Sequence, residues 1–375
     1  MKKLGFGFMR LPVHDEENRA TVNMELTKNM VDLFMKSGLN YFDTAHRYND
    51  EMSEVALKQT LTDRYDRNTY ILANKITMNY IKSEQDQEPF FHNQLKTCGV
   101  SYFDNYLVHN MGEAFYPLAC KYHTFEFIRK MKEQGYVRHV GFSFHGSPEL
   151  LEEILQKYPQ MEYVQLQINY LDWNDPAIRA RECYEIAKKY QKKIIVMEPV
   201  KGGTLVNLPQ KAKELLHKED EDLSLASWAI RFAASLEGVE MVLSGMSTLD
   251  QVLDNTSFMN NFVPLNTYEI ELLEKVADVI RENTEIGCTK CRYCTTECPK
   301  NIAIPDYFAI YNNMKRLENN SYLRNQMVYY NNLSMKHGKA SECIKCGICE
   351  KNCPQKIEIR EKLKLVADVF EKTII

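Results

Sequence analysis

The amino-acid sequence predicts an α/β protein, a (β/α)8 TIM barrel followed by a smaller, mainly helical domain. Two observations support this prediction. Short apolar runs typical of strands alternate with longer segments of helical period up to residue 283. Eight of the eleven cysteines then crowd between Cys288 and Cys353. The chain of 375 residues therefore divides into a cysteine-poor body, residues 1–283, and a cysteine-rich tail, residues 284–375.

Eight strand candidates lie in the body, with segments of helical period between them. This alternation is typical of a (β/α)8 barrel. The strands are predicted at Leu4–Met9, Leu39–Thr44, Tyr70–Ile76, Phe103–His109, Val137–Phe144, Tyr163–Asn169, Lys193–Glu198 and Met241–Gly245. The clearest helices are predicted at Glu25–Lys36, at Ser147–Lys157, from Asp175-Pro176 onward, and at Leu223–Leu236 and Leu249–Asn255.

A doubly wound open sheet is the main alternative to the barrel. Such a sheet would carry a G-x-G-x-x-G fingerprint that opens a helix after the first strand. Here Gly5-Phe-Gly7 lies inside the first strand and leads to Arg10-Leu-Pro12 instead. The barrel is therefore favoured, and functional residues are expected at the C-terminal ends of its strands.

Composition excludes several classes of function. The net charge of −4 and the pI near 6.2 give no reason to expect nucleic acid or an anionic membrane surface as a partner. No apolar run approaches the roughly 18 residues that a membrane span requires. The first ten residues turn polar too quickly for a signal peptide. We therefore expect a soluble, cytoplasmic protein.

Four residues at the ends of three successive predicted strands suggest a common chemistry. They are Asp43 and Tyr48 after the second strand, Lys75 at the third and His109 at the fourth. Taken singly, each has a structural explanation, such as a helix cap or a solvated charge. Together, a lysine can lower the pKa of a phenol, a carboxylate can hold the lysine, and a histidine can orient a carbonyl oxygen. Such a set can protonate an oxygen as a hydride reaches its carbon.

This arrangement resembles the aldo-keto reductases over about residues 1 to 283. The resemblance implies that Tyr48 is the general acid, that Lys75 and Asp43 tune it, and that His109 orients the carbonyl of a small-molecule substrate. The segment Thr267–Asn283 looks like the extra helix that follows the barrel in this family. The motifs that carry the resemblance are Phe42-Asp-Thr-Ala45, Tyr48, Lys75, His109, Gly141-Phe-Ser143 and Leu243-Ser-Gly-Met-Ser247 with Asn255.

The resemblance also implies a nicotinamide cofactor, although the predicted pocket departs from the family pattern. Ser143 and Gln165 match the residues that hold the carboxamide, whereas Phe144 stands in place of an asparagine and Met197 in place of a stacking aromatic. Binding of NADPH rather than NADH is unsupported. Gly245 and Gln251 align with the usual ligands of the 2′-phosphate, Gly202 and Gly203 allow a pyrophosphate to approach, and Asn255 can meet an adenine.

The tail contains two cysteine runs with the same spacing. Each reads C-x2-C-x2-C-x3-C-P, the ligand run of bacterial-type [4Fe-4S] ferredoxins, in which the fourth cysteine serves the other cluster. Zinc sites use pairs of C-x2-C instead, and disulfides do not suit a chain without a secretion signal. The tail is therefore predicted to be a dicluster ferredoxin-like domain. One cluster would take Cys288, Cys291, Cys294 and Cys353, and the other Cys343, Cys346, Cys349 and Cys298.

The sequence thus predicts an iron–sulfur oxidoreductase that reduces a carbonyl with NAD(P)H. One difficulty is that a hydride carries two electrons at once, whereas each cluster passes one. Three explanations stay open: the clusters are structural or redox-sensing, they feed a redox partner protein, or a flavin occupies the altered pocket around Met197 and Phe144. The alternative function is an electron-transfer protein that passes electrons to a flavin or to a partner docked on the barrel.

Overall fold

The computed structural model describes residues 2–175, 178–282, 285–288, 290–315 and 323–372. Eight parallel strands pair in chain order, and the eighth closes on the first to form a barrel. The predicted (β/α)8 fold is therefore confirmed. The strands are β1 (Leu4–Gly7), β2 (Tyr41–Asp43), β3 (Ile71–Ile76), β4 (Phe103–Met111), β5 (Val137–Phe144), β6 (Tyr163–Gln167), β7 (Lys193–Met197) and β8 (Val239–Ser244).

The helices of the body surround the barrel. Several begin with a side-chain cap that satisfies a free backbone N–H, as Ser147 does for Leu150 and Thr248 does for Gln251. The helices of the body are α1 (Met24–Lys36), α2 (Ser53–Leu57), α3 (Gln87–Cys98), α4 (Tyr116–Lys121), α5 (Thr124–Glu133), α6 (Pro148–Lys157), α7 (Ala180–Lys189), α8 (Gln210–Glu219), α9 (Leu225–Ser235), α10 (Leu249–Asn260) and α11 (Thr267–Glu282).

Most predicted elements differ from the observed ones only at their ends, but one helix begins later than expected. The sequence places a helix start at Asp175-Pro176, whereas α7 begins at Ala180. Arg179 has a φ of 54°, in the left-handed region, which prevents a helix from running through it. The Asp175 carboxylate accepts a hydrogen bond from the backbone N–H of Ile178 instead. Pro176 and Asn283, the predicted last residue of α11, lie outside the described residues.

The inside of the barrel is filled by one layer of apolar side chains. Side chains alternate between the two faces of a strand, so the residue two positions further along points to the same side. The next layer toward the C-terminal rim is mainly polar, and it contains three of the four predicted catalytic residues. The apolar layer is Tyr41, Ala73, Leu107, Tyr163, Ile195, Met241 and Leu243, and the layer above it includes Asp43, Lys75, His109, Gln165, Met197 and Gly245.

The tail forms a second, smaller core of its own. Its helices are α12 (Ile304–Lys315), α13 (Leu323–Ser334), α14 (Ile348–Lys351) and α15 (Ile359–Phe370). Tyr307, Tyr330 and Phe370 are buried together in this core, which also includes Ile178 and Ala180 from the body. The two domains therefore share an apolar contact. Within the described residues, no helix is both long and apolar enough to cross a lipid bilayer.

Candidate functional site

Lys75 and Asp43 form a buried ion pair inside the barrel. The Lys75 ammonium donates to Asp43 Oδ1 at 2.6 Å and to the backbone carbonyl of Thr44 at 2.8 Å. The Lys75 side chain has no exposed surface. Burial by itself would lower the pKa of Lys75, but Asp43 and Tyr48 outweigh it and the pKa is raised. The lysine therefore keeps its charge at the floor of the site.

Tyr48 lies between this lysine and His109. The Lys75 Nζ atom is 4.9 Å from the centroid of the Tyr48 ring. The rings of Tyr48 and His109 meet edge to face, with centroids 5.7 Å apart. Burial raises the pKa of Tyr48 and outweighs the lowering effect of Lys75. The sequence argument considered only the effect of Lys75, which lowers the pKa, whereas the pKa of Tyr48 in the structure is raised. The phenol therefore holds its proton over the whole neutral range.

His109 is held by a threonine that follows the third strand. Its Nδ1 lies 2.9 Å from the Thr77 hydroxyl. Burial, with Lys75 and Arg47 as further causes, lowers the pKa of His109 well below its usual 6.5. A neutral imidazole has one N–H, and when the Thr77 hydroxyl donates to Nδ1 that proton is on Nε2. His109 can then donate to a substrate oxygen.

The predicted carboxamide pocket lies on β5, β6 and β7. Ser143 pairs in register with Gln165, and its Oγ accepts from the backbone N–H of Asn110 at 2.7 Å. Oε1 of Gln165 is buried and has no hydrogen-bond partner among the described residues. Met197 is half-buried on the same interior face. Phe144 belongs instead to the apolar shell outside the strands, where its ring lies 6.2 Å from that of Phe142.

The remaining predicted cofactor residues lie after β7 and β8. Gly202 and Gly203 have φ angles of 67° and 88°, and a Cβ on Gly203 would meet no described atom within 4 Å. Gln251 is exposed, and its Oε1 accepts from the Ser247 N–H at 2.7 Å. Asn255 is buried and donates to Ser244 Oγ at 2.8 Å. Both amides therefore brace the chain that follows β8.

Arg10 occupies the space that Gly245 leaves open at the end of β8. A Cβ on Gly245 would lie 3.2 Å from the side-chain carbons of Arg10. The guanidinium also lies 3.4 Å from the Glu198 carboxylate at the end of β7. A cation is thus present beside Gly245, the position that aligns with one of the usual ligands of the 2′-phosphate. The sequence analysis missed Arg10 because only its position in the fold, opposite a glycine, distinguishes it.

A buried carboxylate fixes the loop that carries Tyr48. Glu54, in α2, has no exposed surface and accepts three hydrogen bonds. Its donors are His46 Nδ1 at 2.9 Å, Asn74 Nδ2 at 2.8 Å and Gln94 Nε2 at 2.7 Å. The segment after β2 is therefore anchored to β3 and α3. The sequence shows an acidic stretch here, but nothing in its spacing distinguishes Glu54 from its exposed neighbours.

A second buried ion pair lies on the opposite side of the barrel rim. Lys201 Nζ is 2.5 Å from Asp172 Oδ1, and neither side chain is exposed. Gln167 and Asn169, from β6 and the loop after it, donate to the other oxygen of Asp172 at 2.9 and 2.8 Å. This network holds the Gly202-Gly203 turn against β6. Sequence reasoning noted the glycines and missed the lysine before them.

The eight cysteines of the tail line two separate cavities. Each cavity takes three cysteines from one run and the last cysteine of the other run, the crossed arrangement typical of dicluster ferredoxins. Cys291 and Cys346 are exposed, so one edge of each cavity faces the surface. One cavity is lined by Cys298, Cys343, Cys346 and Cys349, and the other by Cys288, Cys291, Cys294 and Cys353.

Models of two known families match separate parts of the chain. A model of the aldo/keto reductase family matches residues 3–278. A model of a 4Fe-4S dicluster domain matches residues 287–358. One curated relative is the uncharacterized oxidoreductase YqkF of Bacillus subtilis (strain 168). It is 22% identical over 302 residues, which are 69% of this chain and 88% of that protein.

Two solved structures show the likeness of the barrel. The holo form of the aldo-keto reductase AKR11C1 from Bacillus halodurans has a TM-score of 0.60 and 24% identity, covering 74% of this chain and 92% of that one. An aldo-keto reductase from Klebsiella pneumoniae in complex with NADPH has a TM-score of 0.59 and 16% identity, covering 73% and 90%. At these identities the structural likeness concerns the fold.

Proposed function

Because the chain belongs to the aldo/keto reductase family and carries a 4Fe-4S dicluster domain, it is an iron–sulfur oxidoreductase, and we propose that it reduces a carbonyl compound with Tyr48 as the general acid. The observation that carries this proposal is the buried Lys75–Asp43 pair beneath Tyr48, with His109 at its edge. A charged lysine beneath a phenol stabilises the phenolate that remains once the proton has left. No other cluster in the described part of the barrel combines these groups.

The residues on β5 to β7 fit a nicotinamide. The unpaired Oε1 of Gln165 can accept from a carboxamide N–H. The Ser143 hydroxyl accepts one hydrogen bond from Asn110 and keeps its own proton for donation. The bound NADPH of the Klebsiella pneumoniae enzyme agrees with a cofactor of this class. When bound, a reduced nicotinamide supplies the hydride.

The residues of this chain then carry the proton. His109 donates from Nε2 to the substrate oxygen and holds it toward Tyr48. Tyr48 gives its proton to that oxygen as negative charge develops there, so the product is an alcohol. Lys75 stabilises the resulting phenolate, which takes a proton back from solvent. Glu54 and Thr77 keep the Tyr48 loop and the imidazole in place.

In the tail, we propose that each cavity holds one [4Fe-4S] cluster. In one cavity Cys298 would join three cysteines of the second run. In the other, Cys353 would join three cysteines of the first run. Four cysteines around one cavity match the ligation of a cubane. When bound, the clusters supply one-electron redox capacity.

Replacing Tyr48 with phenylalanine tests the proposed reaction. We expect Tyr48→Phe to lower kcat for 4-nitrobenzaldehyde reduction by about 10²–10⁴-fold, the usual contribution of a positioned acid. Affinity for the nucleotide, followed by its fluorescence under anaerobic conditions, should stay unchanged. Tyr268→Phe is the matched control because Tyr268 is exposed on α11. An active Tyr48→Phe variant would refute the role of Tyr48.

Electron transfer to a partner protein is the second candidate function. It is favoured by the exposure of Cys291 and Cys346 and of the apolar Ile344 beside the second run, because these bring each cavity edge to the surface. Visible absorbance distinguishes the two functions. Bleaching of the clusters by NAD(P)H would connect them to the barrel chemistry. Clusters that are reduced only by an external one-electron donor would favour the partner, and a flavin band left after cluster removal would identify a converter.

A further inference from the structure

Helix α13 of the iron–sulfur domain lies against the rim of the barrel on the side of β5 and β6. Tyr329 is buried, and its hydroxyl donates to Oε1 of Gln167 at 3.0 Å. The Tyr329 ring also lies 5.9 Å from the ring of His145, which follows β5. Gln167 is two residues beyond Gln165 on the same face of β6, so the helix stands directly above the proposed carboxamide pocket.

Asn332, one turn further along α13, ties two barrel loops together. Its Nδ2 donates to the backbone carbonyl of His145 at 2.9 Å, and its Oδ1 accepts from the N–H of Ala114 at 3.3 Å. Gly112 leaves room for this side chain, because a Cβ there would lie 2.6 Å from Asn332 Nδ2. The helix is therefore fitted to the loops after β4 and β5 by specific contacts and not only by apolar packing.

Ion pairing extends this contact beyond Asn332. Lys336 Nζ lies 3.0 Å from the carboxylate of Glu113, whose side chain is nearly buried. The same carboxylate accepts from the hydroxyl and the N–H of Ser147, the cap of α6. The end of α13 is thus joined through Glu113 to the start of a barrel helix.

Several buried polar atoms at the C-terminal ends of β5 to β7 and on α13 lack a partner among the described residues. On the barrel side they are Gln165 Oε1, His145 Nδ1 and Glu198 Oε2. On α13 both the oxygen and the nitrogen of the Gln326 amide are unpaired, although Gln326 has no exposed surface. A buried polar group without a hydrogen bond destabilises the folded state. A polar ligand between the domains would satisfy such groups from both sides.

The opposite face of α13 packs into the domain that contains the cysteine cavities. Tyr330 stacks on Phe370 of α15 at 5.0 Å and lies 4.8 Å from Tyr307 of α12. Ile304, at the start of α12, lines both cavities. A metal site that forms only in the folded chain contributes its binding free energy to folding. Clusters in these cavities would therefore stabilise the core on which α13 rests.

We propose that the ligand site is shared by the two domains: α13, through Tyr329 and Gln326, is one wall of the nicotinamide pocket, and the iron–sulfur clusters hold that wall in place. This inference rests on the proposed function for the identity of the ligand. It assigns the clusters a structural effect on the barrel that requires no electron to pass between a one-electron and a two-electron centre. Loss of the clusters would open the pocket and weaken nucleotide binding.

Two adjacent asparagines provide a matched test in the full-length holoprotein. Asn332→Ala removes both contacts to the barrel, whereas Asn331→Ala changes an exposed neighbour on the same helix. We measure the Kd of NADPH and NADH by nucleotide fluorescence, together with iron content and visible absorbance. Asn332→Ala should raise the Kd about tenfold, because two hydrogen bonds are lost while the clusters remain. Asn331→Ala should leave the Kd unchanged.

Removing the iron with a chelator completes a thermodynamic cycle. In the wild type, iron removal should raise the Kd at least as much as Asn332→Ala does. In the Asn332→Ala variant, iron removal should raise the Kd little further, because both changes release the same helix. Gly112→Ala should reproduce the effect from the barrel side. Wild-type affinity in holo Asn332→Ala, or fully additive effects of the variant and of iron loss, would overturn the inference alone. A wild-type holoprotein that binds neither nucleotide would overturn the proposed function as well.

Discussion

The Nζ atom of Lys75 lies 2.6 Å from Oδ1 of Asp43, and both side chains are buried, with exposed fractions of 0% for Lys75 and 5% for Asp43. Removing one member of a buried ion pair leaves the other charge without a partner in a low-dielectric interior. The pair therefore has two separable roles. It stabilises the interior of the barrel, and its lysine places a positive charge beneath Tyr48.

A double-mutant cycle on this pair separates the two roles. Asp43→Asn and Lys75→Met should each destabilise the barrel by about 3–5 kcal/mol, whereas the double variant should be more stable than either single variant. Thermal unfolding followed by near-UV circular dichroism provides the comparison. The double variant should still lack carbonyl reductase activity, because the phenolate of Tyr48 has lost its cation. Additive losses of stability would show that the pair is not coupled.

The pH dependence of the reaction should lack an acid limb from His109. Its pKa lies well below 6.5 in the folded protein, so the imidazole stays neutral and able to donate when the pH falls through 6.5. The pKa of Tyr48 is raised, so its proton is retained up to alkaline pH. We expect kcat/KM to be nearly flat from about pH 5.5 to 8. An acid limb with a midpoint near 6.5 that disappears in His109→Gln would contradict this expectation.

The same shift has a consequence for stability. A histidine whose pKa is lower in the folded than in the unfolded state favours unfolding as the pH drops, because only the unfolded chain takes up the proton. Burial lowers the pKa of His145 to about 4. His109 and His145 should therefore each reduce the Tm as the pH falls from 6.5 toward 4. A His145→Asn variant should show a shallower fall than the wild type.

Thr77→Val should weaken the reaction without affecting nucleotide binding. The change keeps the shape of the side chain and removes the hydroxyl that lies 2.9 Å from His109 Nδ1. Without that partner the imidazole can take the other tautomer, so we expect kcat to fall about tenfold, the value of one hydrogen bond. Thr27→Val is the control, since its buried hydroxyl bonds to Asn23 in α1, away from the site. Equal losses in both variants would show a general effect of removing a buried hydroxyl.

Paired cysteine substitutions test the crossed ligand sets. Cys298→Ser with Cys346→Ser alters two residues of one cavity, so about half of the iron should remain. Cys298→Ser with Cys291→Ser alters one residue in each cavity, and both clusters should be damaged. Iron analysis and electron paramagnetic resonance of the reduced protein distinguish the two cases. The reverse order of iron loss would show that each run ligates its own cluster.

Local patterns were sufficient for the strands and for the positions of the catalytic candidates. Short apolar runs identify all eight strands, because a parallel barrel strand is buried on both of its faces. The polar residues that interrupt each run near its end then lie in one layer above the apolar interior, as Asp43, Lys75 and His109 do. Helix starts were less predictable: the start of α7 depends on the left-handed conformation of Arg179, and an arginine has no intrinsic preference for it.

By itself the sequence determined the barrel and its fusion to a 4Fe-4S dicluster domain, because spacing along the chain carries that information. Only the tertiary structure decided that burial outweighs Lys75 in setting the pKa of Tyr48, that Thr77 and Glu54 support the site, and that Arg10 lies beside Gly245. It also decided that Tyr329, on α13 of the tail, reaches Gln167 of the barrel. Burial and contacts between distant segments depend on how the domains meet in space, and no local pattern in the chain encodes them.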